Sequence, residues 1–362
     1  MKERPTGYLP TLDGWRAIAI LAVCVAHGAN AIVGPGAPHD STLWLTITLY
    51  GVRGVDLFFG ISGFLICSRL LEEHETRGSI SLKGFYIRRF ARILPPYLLL
   101  LAALALLGIL GAIAINGGQL LASLVFVRNY YTISDELGWY TGHLWSLAVE
   151  EHFYLLWPAL LVFWGPARAR WRVVVFALVI ATWRVIEFRY RLLEHIMPGA
   201  GFYMRTDTRL DALLWGCWAA LLLREPAWRD RLTKWLRPQL WLLLALVLAL
   251  NMVFTPPLAM LWQAALIPFL LAGTVLHPEA PASRLLETAA LRWIGRISYS
   301  LYLWQQLFLV PLARRAELGV LHTLPLNIAA AFACAALSYY VIERPAIRMG
   351  HRLAPPTTEG RA

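Results

Sequence analysis

The stretch Leu12-Asp13-Gly14-Trp15-Arg16-Ala17-Ile18-Ala19-Ile20-Leu21-Ala22-Val23-Cys24-Val25-Ala26-His27 decides how this chain is read. From Trp15 to Val33 it is long and apolar enough for a bilayer core, which takes roughly 20 helical residues per crossing. Yet it holds Arg16 and His27. An ionisable group at membrane depth costs several kcal/mol unless paired or hydrated, so each is a candidate for function. Eleven residues turn an α-helix through about 1100°, within about 20° of three full turns. Both side chains therefore share one face, roughly 16 Å apart along the axis. A single buried histidine is more often a packed core residue than a catalyst; the shared face with an embedded arginine shifts that balance. The run follows a polar segment and ends in Gly34-Pro35-Gly36 without a small-x-small cleavage pattern, so it reads as a retained helix.

Apolar runs of this kind recur along all 362 residues. Hydrophobic residues make up 58% and charged residues 15%, against about 45–50% and about 25% in soluble domains. The mean hydropathy is positive. One soluble core could not bury so much apolar surface. The expected fold is all-α, a polytopic membrane bundle of ten transmembrane helices over 14–33, 49–71, 93–115, 143–164, 172–187, 209–224, 238–255, 258–277, 294–312 and 324–342. We read 1–352 as one transmembrane domain and 353–362 as a disordered tail, with no internal repeat. With the N-terminus placed in the cytoplasm, 24 of the 33 Lys and Arg fall on inner segments and 9 on outer ones, the positive-inside bias. Both termini are then cytoplasmic. The net charge of +11 resides in these loop clusters, which excludes nucleic acid as the partner. Cys24, Cys67, Cys217 and Cys334 lie inside apolar runs and read as packing residues; no metal site is expected.

Further charges interrupt the spans. Arg53 and Asp56 are i, i+3 and can pair on one helix face. The Gly60-x-Ser62-Gly63 run that follows reads as close helix packing. The fourth span opens His143-Leu144-Trp145-Ser146-Leu147-Ala148-Val149-Glu150-Glu151-His152. Adjacent carboxylates diverge by about 100°, so one of Glu150 and Glu151 faces a site. Counted from His143 as the outer mouth, Glu150 is about 10 Å deep and level with His27, a plausible acid-base pair. Arg205, Asp207, Arg209 and Asp211 sit at the outer mouth of the sixth span, as an acceptor site or as structural ion pairs. Before the third span, a cytoplasmic loop carries Arg88, Arg89 and Arg92, whose guanidinium groups suit phosphates or act as positive-inside anchors.

At these residues the chain resembles the acyltransferase-3 family of membrane-bound bacterial acyltransferases. The pieces are Leu12 to Arg16 with Arg16-x10-His27, Gly54 to Phe59 with Ser62-Gly63-Phe64, Arg88-Arg89-Phe90-Ala91-Arg92, and Leu144 to Glu151. Arg209 to Leu213, Gly295 to Leu303 and Ser338 to Pro345 complete the set, in the family's order over nearly the whole chain. The resemblance implies an O-acyltransferase of the bacterial inner membrane. Acyl-CoA, with acetyl-CoA the default, is the co-substrate, and no cofactor is bound permanently. The acceptor is the hydroxyl of a carbohydrate or lipid-linked saccharide of the cell envelope. His27 and Arg16 are implied as the essential pair, Arg89 and Arg92 as contacts of the CoA phosphates, and Glu150 as an acidic partner. Two positions depart from the pattern. Gln305 stands where relatives often carry His, and His152 where they often carry Gln; a proton-transfer role at 305 is therefore in doubt. The hydrolase-like periplasmic domain that many relatives append is expected to be absent.

The expected chemistry is direct transfer, with His27 as general base on the sugar hydroxyl and Glu150 orienting it. Arg16 holds the donor or anchors Asp13. Asp13, Arg53, Asp56, Glu151, Arg209, Asp211, Tyr302 and Gln305 are assigned to the acceptor site or to structural pairs. The competing class is a proton-coupled transporter or flippase of a polar lipid or sugar, since intramembrane His, Arg and carboxylates also mark proton relays. No inverted repeat supports it.

Overall fold

Small residues at helix crossings let backbones approach where lipid offers no hydrophobic drive between helices. The computed structural model describes residues 8–32, 51, 53–131, 135–196, 201–251 and 257–354. Among them every regular element is helical. The first are α1 (Pro10–Ile32), α2 (Gly54–Arg77), α3 (Leu82–Ile109) and α4 (Gly117–Leu124). Then come α5 (Asp135–Gly142), α6 (Leu144–Trp164), α7 (Pro166–Tyr190), α8 (Leu192–Ile196), α9 (Thr206–Arg209) and α10 (Asp211–Leu223). The chain continues through α11 (Pro226–Trp235), α12 (Pro238–Asn251), α13 (Pro257–Leu276), α14 (Pro281–Leu286) and α15 (Ala289–Phe308). Helix α16 (Leu326–Ser338) joins α17 (Arg344–Leu353) through a π-helical turn at Tyr339–Glu343.

Six helices are long and apolar enough to cross a membrane: Pro10–Ala29, Gly54–Arg77, Leu82–Ile109, Gly138–Trp164, Ala259–Leu276 and Leu326–Leu353. The expected seventh span, 238–255, falls on α12, which forms with the preceding α11 a pair bent by 77°. The expected sixth is α10, apolar but only 13 residues long. The fifth lies within the 25-residue α7, and the ninth, 294–312, overlaps α15, which ends at Phe308. The chain is thus a multi-pass helical membrane protein. The expected tail falls at 355–362, outside the described residues apart from Leu353 and Ala354.

The third span corrects the expectation most. The segment Phe85–Tyr97 is not a loop. Helix starts at Leu82, with the Ser81 hydroxyl accepting from the Gly84 N–H at 3.1 Å, and runs through Pro95 and Pro96. Prolines there remove two backbone donors but leave earlier turns intact. Arg88, Arg89 and Arg92 are therefore fixed on a helix, about 100° apart for neighbours and on one face for Arg89 and Arg92.

Glycines set two crossings. A Cβ at Gly63 would lie 2.0 Å from the Leu213 carbonyl oxygen, so α2 and α10 touch backbone to backbone. A Cβ at Gly295 would lie 1.9 Å from the Asp13 carbonyl oxygen, which seats α15 on the start of α1. The outer half is fixed by ion pairs. Arg184 makes a bidentate pair with Asp211, at 2.7 and 3.0 Å, both side chains almost wholly buried. Arg205 bridges Glu187 and Asp207, each at 2.6 Å. Arg209 pairs with Asp56, whose other oxygen is 3.7 Å from Arg53, and its guanidinium faces the Tyr203, Phe59 and Trp145 rings. Breaking such a buried pair costs about 3–5 kcal/mol, because a bare charge remains.

Two outcomes follow from this frame. Gly63→Ala and Gly295→Ala should each abolish the monodisperse folded species on size-exclusion chromatography, since backbone cannot yield by an ångström. The second concerns Asp207 on the connecting segment. Burial raises its carboxyl, but hydrogen bonds from Arg205 and Trp183 outweigh this and hold it below the usual carboxylate range. A depressed folded value stabilises the fold above the unfolded pKa of about 3.9 and loses that effect as pH falls through the folded value. The Tm gap between wild type and Asp207→Asn should therefore be full at neutral pH and close below about pH 4.

Candidate functional site

A cleft of about 70 Å³ opens inside the bundle between α1, α2, α3, α6 and α15. Arg16 from α1 and Arg89 and Arg92 from α3 give it three cations, and Glu150 from α6 gives an acid. Ser62, Ser146, Ser298, Tyr299 and Tyr302 add hydroxyls, while Phe58, Phe59, Ile93 and Leu147 supply apolar wall. Three helices thus deliver charges that lie far apart in sequence.

Two of the three cations have anchors in the structure. Arg16 is 4.0 Å from Asp13, one turn earlier. Arg89 lies over the Tyr154 ring at 3.5 Å and stands 3.9 Å from Glu150 and 4.0 Å from Glu151. Glu150 also accepts from the Ser62 hydroxyl at 2.7 Å. Ser62 therefore joins the site; its signal in the sequence was the Gly60-x-Ser62-Gly63 run, read there only as packing. Arg88 departs from the expected trio. It points away on α3 and donates to Glu73 at 3.1 Å, on the neighbouring α2. Helical geometry explains this, since Arg88 and Arg89 cannot face the same cleft.

His27 is not among the residues lining this cleft, and its partner is not the expected one. Its Nδ1 is 2.8 Å from Gln305 Oε1. An amide oxygen only accepts, so Nδ1 carries the proton and Nε2 keeps a free lone pair. Trp139 packs its ring edge-on to the imidazole at 5.7 Å and donates Nε1–H to the Gln306 carbonyl at 3.0 Å. Glu150 does not share this depth. The span containing it begins at Gly138, so His143 is already inside the bundle rather than at its mouth. Glu150 therefore sits two turns further in, with Ser62 and Arg89, while His27 shares the level of His143 and Gln305.

Tyr302 connects the two regions. It lines the cleft, stands one turn before Gln305 on α15, and packs edge-on against Phe58 and His143. Its hydroxyl donates to the His143 carbonyl at 2.5 Å and lies 2.6 Å from Ser146 Oγ. His143 Nε2 is 3.2 Å from the Leu303 carbonyl. His152 is held elsewhere, by Thr206 Oγ1 at 2.7 Å. Arg53, Asp56, Arg209 and Asp211 belong to the outer ion pairs described above, and none lines the cleft. Among the described residues no cluster of His, Cys, Asp and Glu has metal-ligand geometry.

The arrangement gathers three guanidinium groups in one cleft and sets an imidazole hydrogen-bonded to an amide one helical turn beyond Tyr302. Known proteins share this chain's pattern. A family model described as an acyltransferase domain matches residues 9–343. The peptidoglycan O-acetyltransferase OatA of Listeria monocytogenes is 29% identical, covering 95% of this chain and 56% of its own length. YrhL of Bacillus subtilis, provisionally named a peptidoglycan O-acetyltransferase, is 31% identical with the same two coverages. A Staphylococcus aureus protein provisionally named an O-acetyltransferase is 29% identical over 84% of this chain and 51% of its own length. The chain thus spans about half the length of these relatives. No solved structure matches.

Proposed function

The chain belongs to this membrane acyltransferase family, and from that premise we propose that it moves an acetyl group from cytoplasmic acetyl-CoA to a hydroxyl of a cell-envelope saccharide. Peptidoglycan or its lipid-linked precursor is the acceptor class that the names of the relatives favour. The proposal places the protein in the bacterial inner membrane with ten crossings, adding α7, α10, the bent α11–α12 pair and α15 to the six apolar helices. Both termini then face the cytoplasm, in keeping with the positive-inside bias.

The observation that carries this reading is the line from Arg16, Arg89 and Arg92 past Tyr302 to His27. Guanidinium groups bind phosphates bidentately. The CoA phosphates sit on the three arginines, and the thioester arm runs along the cleft toward the imidazole. His27 Nε2 takes the proton from the sugar hydroxyl. The oxygen attacks the thioester carbonyl, the C–S bond breaks, and the imidazolium returns the proton to the departing thiolate. The products are an O-acyl ester and free CoA thiol. Gln305 keeps the base in the correct tautomer, as a carboxylate does in a hydrolytic triad, but without a second charge to desolvate. Glu150 instead fixes Arg89, through its ion pair and the Ser62 hydroxyl. A fixed general base contributes about 10²–10⁴-fold in rate.

Purified protein with acetyl-CoA and a muropeptide or lipid-linked disaccharide should release thiol, and a transporter would not. His27→Ala should reduce turnover by about 10²-fold or more while acetyl-CoA still binds; near-normal turnover would end the base assignment. In the same assay Arg89→Ala should weaken acetyl-CoA binding by about tenfold or more, and Arg88→Ala should leave it within about twofold.

A further inference from the structure

The helix Leu326–Leu353 contains one irregular turn, and that turn buries a carboxylate. Along α16 the buried positions are Asn327, Ala331, Ala335 and Ser338, spaced four, four and three. An unbroken α-helix would next bury position 341 or 342. Instead Val341 is exposed and Glu343 is wholly buried, after which Ala346 and Gly350 resume the stripe. The phase shift comes from the π turn, in which the Arg344 N–H bonds to the Tyr339 carbonyl five residues back. Such turns disturb the backbone ladder and appear mostly where function needs them. Here its effect is to exchange an apolar side chain for an acid.

The buried acid lies just behind the cationic cleft. Glu343 Oε2 accepts from Ser300 Oγ at 2.8 Å, and Oε1 has no hydrogen-bond partner among the described residues. Ser300 follows Ser298 and Tyr299, which line the cleft together with Arg16 and Arg92, two like charges that repel each other in one cavity. Neighbouring Tyr299 faces the cleft and donates to the Ile93 carbonyl at 3.0 Å, next to Arg92. Below it α17 seats on α3, where a Cβ at Gly350 would lie 2.5 Å from Ala91 Cβ. The π turn and α17 thus brace the arginine-bearing segment of α3 from outside the cleft.

We infer that Glu343 is a positioning residue of the anion seat: set in the core by the π turn, it offsets the repulsion between Arg16 and Arg92 and keeps both aimed into the cleft. A lone carboxylate deep in a membrane protein is costly and is retained only for such a partner. Removing its charge lets the two guanidinium groups spread, so a phosphate-bearing ligand loses its seat although the net charge of the cleft becomes more positive. The inference rests on the donor reading above only for the identity of the natural ligand.

Binding of acetyl-CoA, and of inorganic pyrophosphate as a minimal anion, should be measured by calorimetry on purified wild type and Glu343→Gln. The variant keeps the shape and the Ser300 contact. Its Kd for both probes should rise by about tenfold or more, with kcat at saturating acetyl-CoA within about twofold of wild type. An unchanged Kd, or tighter binding as expected if the acid merely dilutes positive potential, overturns the inference. Should the variant not fold, Ser300→Ala takes its place; its Kd should rise by about threefold, and an unchanged value overturns the inference equally. If wild type binds pyrophosphate but releases no thiol from acetyl-CoA, acyl transfer fails as the reading of the site. The pyrophosphate ratio still decides the role of Glu343.

Discussion

A guanidinium group cannot stand bare among helices that face hydrocarbon, and the interior of this protein is organised by that constraint. Arg89 shows how it is met. One side chain engages Glu150 and Glu151 at about the same distance and lies flat on the Tyr154 ring. Those contacts draw α3 against α6, and Ser62 ties Glu150 back to α2. With the cation anchored from three sides, its remaining face can be turned toward a cleft. The same logic repeats outward with Arg184 and Asp211, Arg205 with Glu187 and Asp207, and Arg209 with Asp56.

The two sets of charges differ in what they leave open. The outer pairs are closed. Arg184 and Asp211 satisfy each other bidentately, and Arg209 is enclosed by an acid and three aromatic rings. They fix α2, α7 and α10 and line no cleft. The inner set has three arginines around a cavity with longer, looser ion pairs of 3.9 to 4.0 Å. Loose pairs in a cavity leave guanidinium faces available to an incoming anion. Positioning of the closed kind explains stability, and positioning of the open kind suits binding.

His27 is treated differently again. It receives an amide rather than a carboxylate, so its hydrogen-bond partner adds no charge. An uncharged partner still selects the tautomer, because an amide oxygen can only accept. Gln305 therefore supplies the geometric half of such a partner's role without the electrostatic half.

Much of this was legible in the residues. Arg16 and His27 stand on one helical face because the period of an α-helix dictates it, and the run between them is too apolar for anything but a bundle. The charge interruptions at Asp56 and Glu150 were visible for the same reason: composition forbids them in lipid without a partner, whereas Arg89 was placed in a loop. Which partner each one takes was not legible. Sequence spacing is blind to contacts between helices, so it paired His27 with Glu150 by counting depth from the wrong residue, and grouped Arg88 with Arg89 by adjacency. The structure assigns Gln305 to His27, Glu73 to Arg88 and Ser62 to Glu150. Glu343 lies in the quoted stretch Ser338 to Pro345, but its burial was hidden, because a π turn changes helix phase by a backbone event that no residue type announces. The sequence by itself determined that these charges must be buried and satisfied; only the packing of helices against one another decided by whom, since that choice depends on crossing points and phase rather than on distance along the chain.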